Sequence, residues 1–84
     1  MAVYVDGGRI QYGRMKMSHM MADSLEELHA MAERIGLKRE WFQPKSSPHY
    51  DLCQSKRALA ISFGAIEADR KKVVELIRYW RAHG

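Results

Sequence analysis

One cysteine, Cys53, stands in the 84 residues, so no internal disulfide can form and neither a zinc ribbon nor a CxxC redox pair is available. Nothing therefore points to an oxidising compartment, and the cytosol is the expected location. Long apolar runs are missing as well. No stretch approaches the ~20 residues that cross a bilayer, and the first residues lack the basic start and the ~7–15-residue apolar core of a signal peptide. The expectation is a chain with no membrane association. Prolines number two, Pro44 and Pro48, both in one short segment. The glycine pair Gly7-Gly8 lacks the lysine and the spacing of a phosphate-binding P-loop and reads as a turn. No organic cofactor is called for.

The residues present describe one small domain. Eighty-four residues leave no room for a second, and 46% hydrophobic residues are too many for a disordered chain. Fourteen Lys and Arg against ten Asp and Glu give a net charge of +4. Such an excess favours anionic partners. Small size with six Met and eight Trp, Tyr and Phe together also argues for a homo-oligomer, with the last helix and its Tyr79 and Trp80 as the expected contact.

Val3 to Asp6 is β-branched and aromatic and reads as a buried strand ending at Gly7-Gly8. Arg9 to Gly13 follows as a loop. Arg14 to Ser18 alternates and predicts a second strand with Met15 and Met17 toward the core. Ser24 to Glu27 has the form of a capping box, and Leu25, Leu28, Met31, Ala32 and Ile35 follow at helical spacing up to Gly36. Arg39 to Gln43 predicts a third strand with Trp41 in the core, and residues 44–48 an irregular loop. Ser55 is the expected cap of a helix over 56–63, and 65–67 a short fourth strand. Asp69 caps a last helix over 69–82 with the stripe Val73, Leu76, Ile77 and Trp80. The fold class is α/β: a single small domain, with a mixed sheet of three to four strands and about three helices in the order β-β-α-β-α-(β)-α.

Ligands of open α/β sheets sit outside the carboxyl ends of strands and at helix N-termini. That rule selects Asp6-Gly7-Gly8 after the first strand, His19 and Asp23 after the second, and His49, Tyr50, Asp51, Ser55, Lys56 and Arg57 after the third, and Arg14 ahead of the second strand is a further candidate for the phosphate. Ser55-Lys56-Arg57 joins a hydroxyl and two cations to a helix start, a combination suited to phosphate, and also to an ordinary serine cap with two solvated bases. His19, Asp23, His49 and Asp51 are the types that hold a single metal ion, and equally surface or hydrogen-bonded groups. Tyr50 is suited to stacking on a base or holding a ribose, with Tyr12 and Trp41 as helpers, although core packing is favoured for Trp41. His29 lies at the edge of the apolar helix face, as a satisfied histidine or a pocket wall. Cys53 has no convincing base and counts as structural.

These residues resemble a bacterial and phage family of unassigned activity, domain of unknown function 4031. The resemblance is carried by VYVD, by Gly13-Arg14 with Met-x-His-Met-x-Ala-Asp through Asp23, and by Glu27-Leu28-His29. It continues through Gly36, Trp41-Phe42-Gln43, His49-Tyr50-Asp51, Lys56-Arg57-Ala58 and Gly64-Ala65. It covers residues 2 to 67 and leaves the last helix as an extension. The resemblance implies that the polar positions form one recurring pattern. At Gly7-Gly8 relatives carry bulkier or acidic residues, which counts against Asp6 as a metal ligand.

The function favoured at this level is binding of a small phosphate-bearing ligand, a nucleotide first. A phage-borne family makes it a candidate sponge for a host nucleotide immune signal, acting in the host cytoplasm. The alternatives are a metal-dependent phosphoester hydrolase or nuclease using His19, Asp23, His49 and Asp51, and a nucleic-acid-binding module. The last ranks lowest, because no basic strand carries interleaved aromatics and no recognition helix is apparent.

Overall fold

A computed structural model describes residues 2–7, 10–12, 15–44 and 47–83. Arg14, Gly8 and Gly13, all given roles above, lie outside the described residues, as do Lys45 and Ser46. The elements are β1 (Val3–Asp6), β2 (Ile10–Tyr12), β3 (Met15–Ala22), α1 (Leu25–Arg34), β4 (Tyr50–Cys53), α2 (Gln54–Ser62), β5 (Ile66–Ala68) and α3 (Arg70–His83). The chain is thus a small α/β domain with a mixed sheet and three helices.

Strand β3 is the centre of the sheet. On one side it pairs antiparallel with β1 (Val3 opposite Ala22, Val5 opposite Met20) and then with β2 (Ile10 opposite Met17). The two pairings run along one edge of β3, β1 beside Met20–Ala22 and β2 beside Met15–Met17. On its other side β3 pairs with β4, with Met17 opposite Cys53, Ser18 opposite Leu52, His19 opposite Asp51 and Met20 opposite Tyr50. β5 adds to β1 in parallel, Val5 opposite Glu67.

Successive strand residues face opposite ways. Val3, Val5, Ser18, Met20, Ala22, Tyr50 and Leu52 therefore share one face, and all are buried. Against them pack Leu28, Met31, Ala32 and Ile35 from the α1 region, Leu37 after it, and Ala60 from α2. Helix α1 starts as the capping serine requires, with Glu27 N donating to Ser24 Oγ at 3.3 Å, and it closes through Gly36 at φ 81°. Helix α3 serves the other face beside β1 and β5. There Lys72 Nζ lies 4.8 Å from the centre of the Tyr4 ring, and Trp80 Nε1 donates to Ala22 O at 2.8 Å. Trp80 is thereby held inside this chain, while Tyr79 stays 40% exposed.

Four expectations are corrected. Residues 10–12 form a strand instead of a loop, because they pair antiparallel with Met15–Met17 of β3. Strand β3 runs on to Ala22, so His19 lies within it and not beyond its end. Residues 39–41 make a 3-10 turn, and only Gln43 bridges to His49, with N–O distances of 3.0 Å both ways. The strand expected there is instead formed by Tyr50-Asp51-Leu52-Cys53, whose alternation puts Tyr50 and Leu52 in the core. Two consequences follow for side chains: Met17 faces away from the core, and Trp41 is 49% exposed. Helix α2 begins at Gln54, one turn position ahead of Ser55, with Cys53 in the capping position.

Leu52 is fully buried on β4. Leu52→Ala should lower unfolding stability by about 2–5 kcal/mol through lost burial and a cavity. Val74→Ala, on the exposed side of α3, should stay within about 0.5 kcal/mol of wild type. Urea unfolding followed by circular dichroism measures both, and equal losses would contradict the core described.

Candidate metal centre

The face of the sheet opposite α1 and α2 carries the odd residues of β3 and β4. Near β1 it is served by α3. Across β3 and β4 it carries Met17, His19, Asp51 and Cys53. The pairing frame sets Asp6, His19 and Asp51 side by side on three neighbouring strands. His49, two residues before Asp51, falls on the same face. Its ring meets that of His19 edge-on, with centroids 5.1 Å apart.

Each histidine has its Nδ1 anchored. His19 Nδ1 bonds Asp6 Oδ2 at 2.9 Å, and Asp6 Oδ1 accepts from His19 N at the same distance. His49 Nδ1 lies 2.9 Å from Ser47 O, a group that can only accept, so the proton sits on Nδ1 and the lone pair on Nε2. Both Nε2 atoms then approach Asp51 Oδ1, at 3.5 Å from His19 and 3.7 Å from His49. Gln43 Nε2 donates to the other oxygen, Asp51 Oδ2, at 2.7 Å and turns Oδ1 inward. One ligand atom from each of His19, His49 and Asp51 lies within 4.8 Å of the others. Bonds of about 2.0–2.1 Å to an ion set tetrahedral ligand atoms roughly 3.3 Å apart. The two histidine–carboxylate distances need to close by only a few tenths of an ångström to match.

Asp6 is held in turn. Arg57 Nε donates to Asp6 O at 2.9 Å, and Arg57 Nη2 pairs with Glu67 Oε1 at 2.9 Å. Arg57 joins α2 to β1 and β5 behind the histidine. Lys56 Nζ donates to Ile35 O at 2.6 Å, which uses one of its three donors. It lines a cavity of about 460 Å³ with Met17, Leu37, Trp41, Gln43, Asp51 and Cys53. The cavity opens beside Asp51 at the edge of β4.

The remaining candidates are placed elsewhere. Asp23 accepts from Ala2 N at 3.2 Å and does not join the cluster. Tyr50 is fully buried on the core face, where its hydroxyl meets His29 Nδ1 at 2.7 Å and Phe42 packs on both rings. Ser55 Oγ meets Cys53 Sγ at 3.3 Å. Sequence reasoning weighs Asp6 only as a metal ligand, not as the partner of a histidine, and passes over Gln43. The signal for Asp6 was the alternation of VYVD, which puts Asp6 on the face opposite Val3 and Val5. For Gln43 there was none, since its role depends on a single bridge to His49.

The electrostatics of the histidines diverge. The hydrogen bond to Asp6 raises the His19 pKa above its ordinary 6.5, helped by the Asp6 and Asp51 charges and opposed by burial. Burial lowers that of His29, with Arg39 adding to the effect. Bonds from Ser55 and from the Lys56 backbone lower the Cys53 thiol.

Residues 3–80 match the family described as Protein of unknown function (DUF4031), and the chain belongs to that family. The match takes in most of α3. No curated protein and no solved structure gives a significant match.

The shifts predict opposite titrations in the metal-free protein. Ring NMR signals of His19 should titrate above pH 6.5 and those of His29 below it. Protonated His19 then contributes stability that is complete below pH 6.5 and lost as pH rises through its folded value. Neutral His29 contributes stability present above pH 6.5 and lost as pH falls through its folded value. Asp6→Asn should bring His19 down while leaving His29 in place. A His19 titration unmoved by that substitution would contradict the assigned cause.

Proposed function

We propose that this member of the family binds one divalent ion of the zinc type through His19 Nε2, His49 Nε2 and Asp51 Oδ1, and uses it on a small phosphate-bearing ligand, a nucleotide first. The observation that carries the proposal is the pair of anchored Nδ1 atoms. With Asp6 and the Ser47 carbonyl holding them, both rings present Nε2 toward the same carboxylate oxygen. Carboxylate and carbonyl partners of this kind fix the ring and its tautomer and strengthen the ligand.

Three protein ligands leave a position open. Two histidines with a carboxylate are a donor set of catalytic zinc, in which the ion activates a water and polarises a phosphoryl oxygen. Hydrolysis of a phosphoester is the reaction this arrangement supports best. The net charge of +4 and the Lys56 ammonium at the cavity wall favour an anionic substrate. Asp6 would hold the imidazole of His19, and Gln43 the carboxylate of Asp51. Cys is absent from the ligand set, so the ion is not needed for folding.

Zinc titrated calorimetrically into metal-free protein should saturate at one ion per chain. His49→Ala and Asp51→Ala should abolish the binding, and Asp6→Asn should weaken it by about 10–100-fold. Thermal unfolding in the presence of a chelator should remain cooperative. Incubation of the loaded protein with adenosine monophosphate should release phosphate. A nucleotide bound and recovered intact would assign the protein to sequestration instead, and failure of wild type to bind any divalent ion would overturn the metal centre.

A further inference from the structure

We infer that the cavity beside Asp51 is the specificity pocket of this site and receives a flat aromatic group, such as a nucleobase, attached to the phosphate held at the metal. It rests on the metal centre proposed above and adds the part of the ligand that the metal does not touch. The cavity and the centre share two residues. Asp51 is both a ligand candidate and a wall, and Gln43 both orients Asp51 and lines the cavity. A group bound at the ion and extending along β4 enters this space.

The walls select what fills it. Met17, Leu37, Trp41 and Cys53 make them chiefly apolar, and the volume of about 460 Å³ lies within the range for small-molecule sites, roughly 300–1,000 Å³. A bare sugar or inorganic phosphate would leave that surface wet. Trp41 is 49% exposed, although it stands in a chain small enough to need every large side chain for its core. Its place is set by the 3-10 turn that it closes and by the Gln43–His49 bridge two residues on. The same short segment thus presents an indole to the cavity and an amide to the carboxylate. Lys38 Nζ lies over the indole, 5.7 Å from its centre, as a cation attracted to the ring face.

The polar groups in the wall suit a heterocycle. Lys56 keeps two donors after its bond to Ile35 O. Gln43 gives Nε2 to Asp51 and keeps its Oε1 as an acceptor. A donor and an acceptor beside an aromatic wall match the edge of a nucleobase, whose ring stacks on an aromatic side chain.

The test compares adenosine monophosphate with ribose 5-phosphate, which carries the same phosphate without the base. Both are titrated calorimetrically into zinc-loaded protein in the cold, with zinc content and released phosphate measured on each sample so that binding of the intact ligands is compared. Adenosine monophosphate should bind about tenfold or more tightly. Trp41→Ala should remove that preference while ribose 5-phosphate and zinc bind as to wild type, and Trp41→Phe should keep most of it. Unchanged zinc binding shows that each variant is folded. Equal binding of the two phosphates by wild type, or a preference surviving Trp41→Ala, overturns the pocket while leaving the metal centre standing. Wild type without zinc would instead overturn the metal centre itself.

Discussion

Strand β3 sends Ser18, Met20 and Ala22 into the core and Met17, His19 and Met21 to the opposite face, and every polar group of the site depends on that alternation. A slip of one residue would bury His19 and expose Met20. The slip is opposed from both sides. Val5 and Tyr50 flank the fully buried Met20 on neighbouring strands, and both are fully buried themselves. The same pairing that satisfies the core therefore sets Asp6, His19 and Asp51 in one row. Sheet register sets Asp6, His19 and Asp51, and the segment before β4 supplies His49, the Ser47 carbonyl and the Gln43 amide.

The distribution of helices decides which part of the far face is free. α1 and α2 pack on one side against β1, β3 and β4, while α3 on the other side works beside β1 and β5, where Trp80 is tied to Ala22 O. What is left lies over β3 and β4. Charges are arranged around it in a chain of dependence: Glu67 holds Arg57, Arg57 holds the Asp6 backbone, and the Asp6 carboxylate holds His19. Lys56 and Arg57 are adjacent in sequence but do different work. Lys56 faces the cavity, and Arg57 stands behind the histidine.

Elements with strong local signals were legible from the residues alone. The Ser24 cap with its helix, the positive-φ stops at Gly36 and Gly64, and the Asp69 cap, whose Oδ1 accepts from Lys72 N at 2.8 Å, follow from chemistry within a few residues. Trp41-Phe42 misled because aromatic propensity there reflects burial of Phe42 against His29 and Tyr50, not strand pairing. The strand at Tyr50–Cys53 is readable in the alternation of Tyr50 and Leu52 with Asp51 and Cys53, but four residues between an irregular loop and a helix carry too short a period to stand out. Three of the four metal candidates assemble; Asp23 does not, because β3 ends just before it and its carboxylate meets the backbone of Ala2. Register across three strands, which joins Asp6 to His19 and Asp51, is a long-range property that no local pattern carries.

The claim on which the rest turns is that His19 Nε2 and His49 Nε2 converge on one ion while their Nδ1 atoms stay protonated. Long-range nitrogen–proton NMR of the imidazoles during zinc addition measures it directly. The account predicts that the Nε2 signals of His19 and His49 shift together and stop at one equivalent, with both Nδ1 sites unchanged in protonation and His29 unaffected. Separate saturation of the two rings, a shift at Nδ1, or no response to zinc would contradict it.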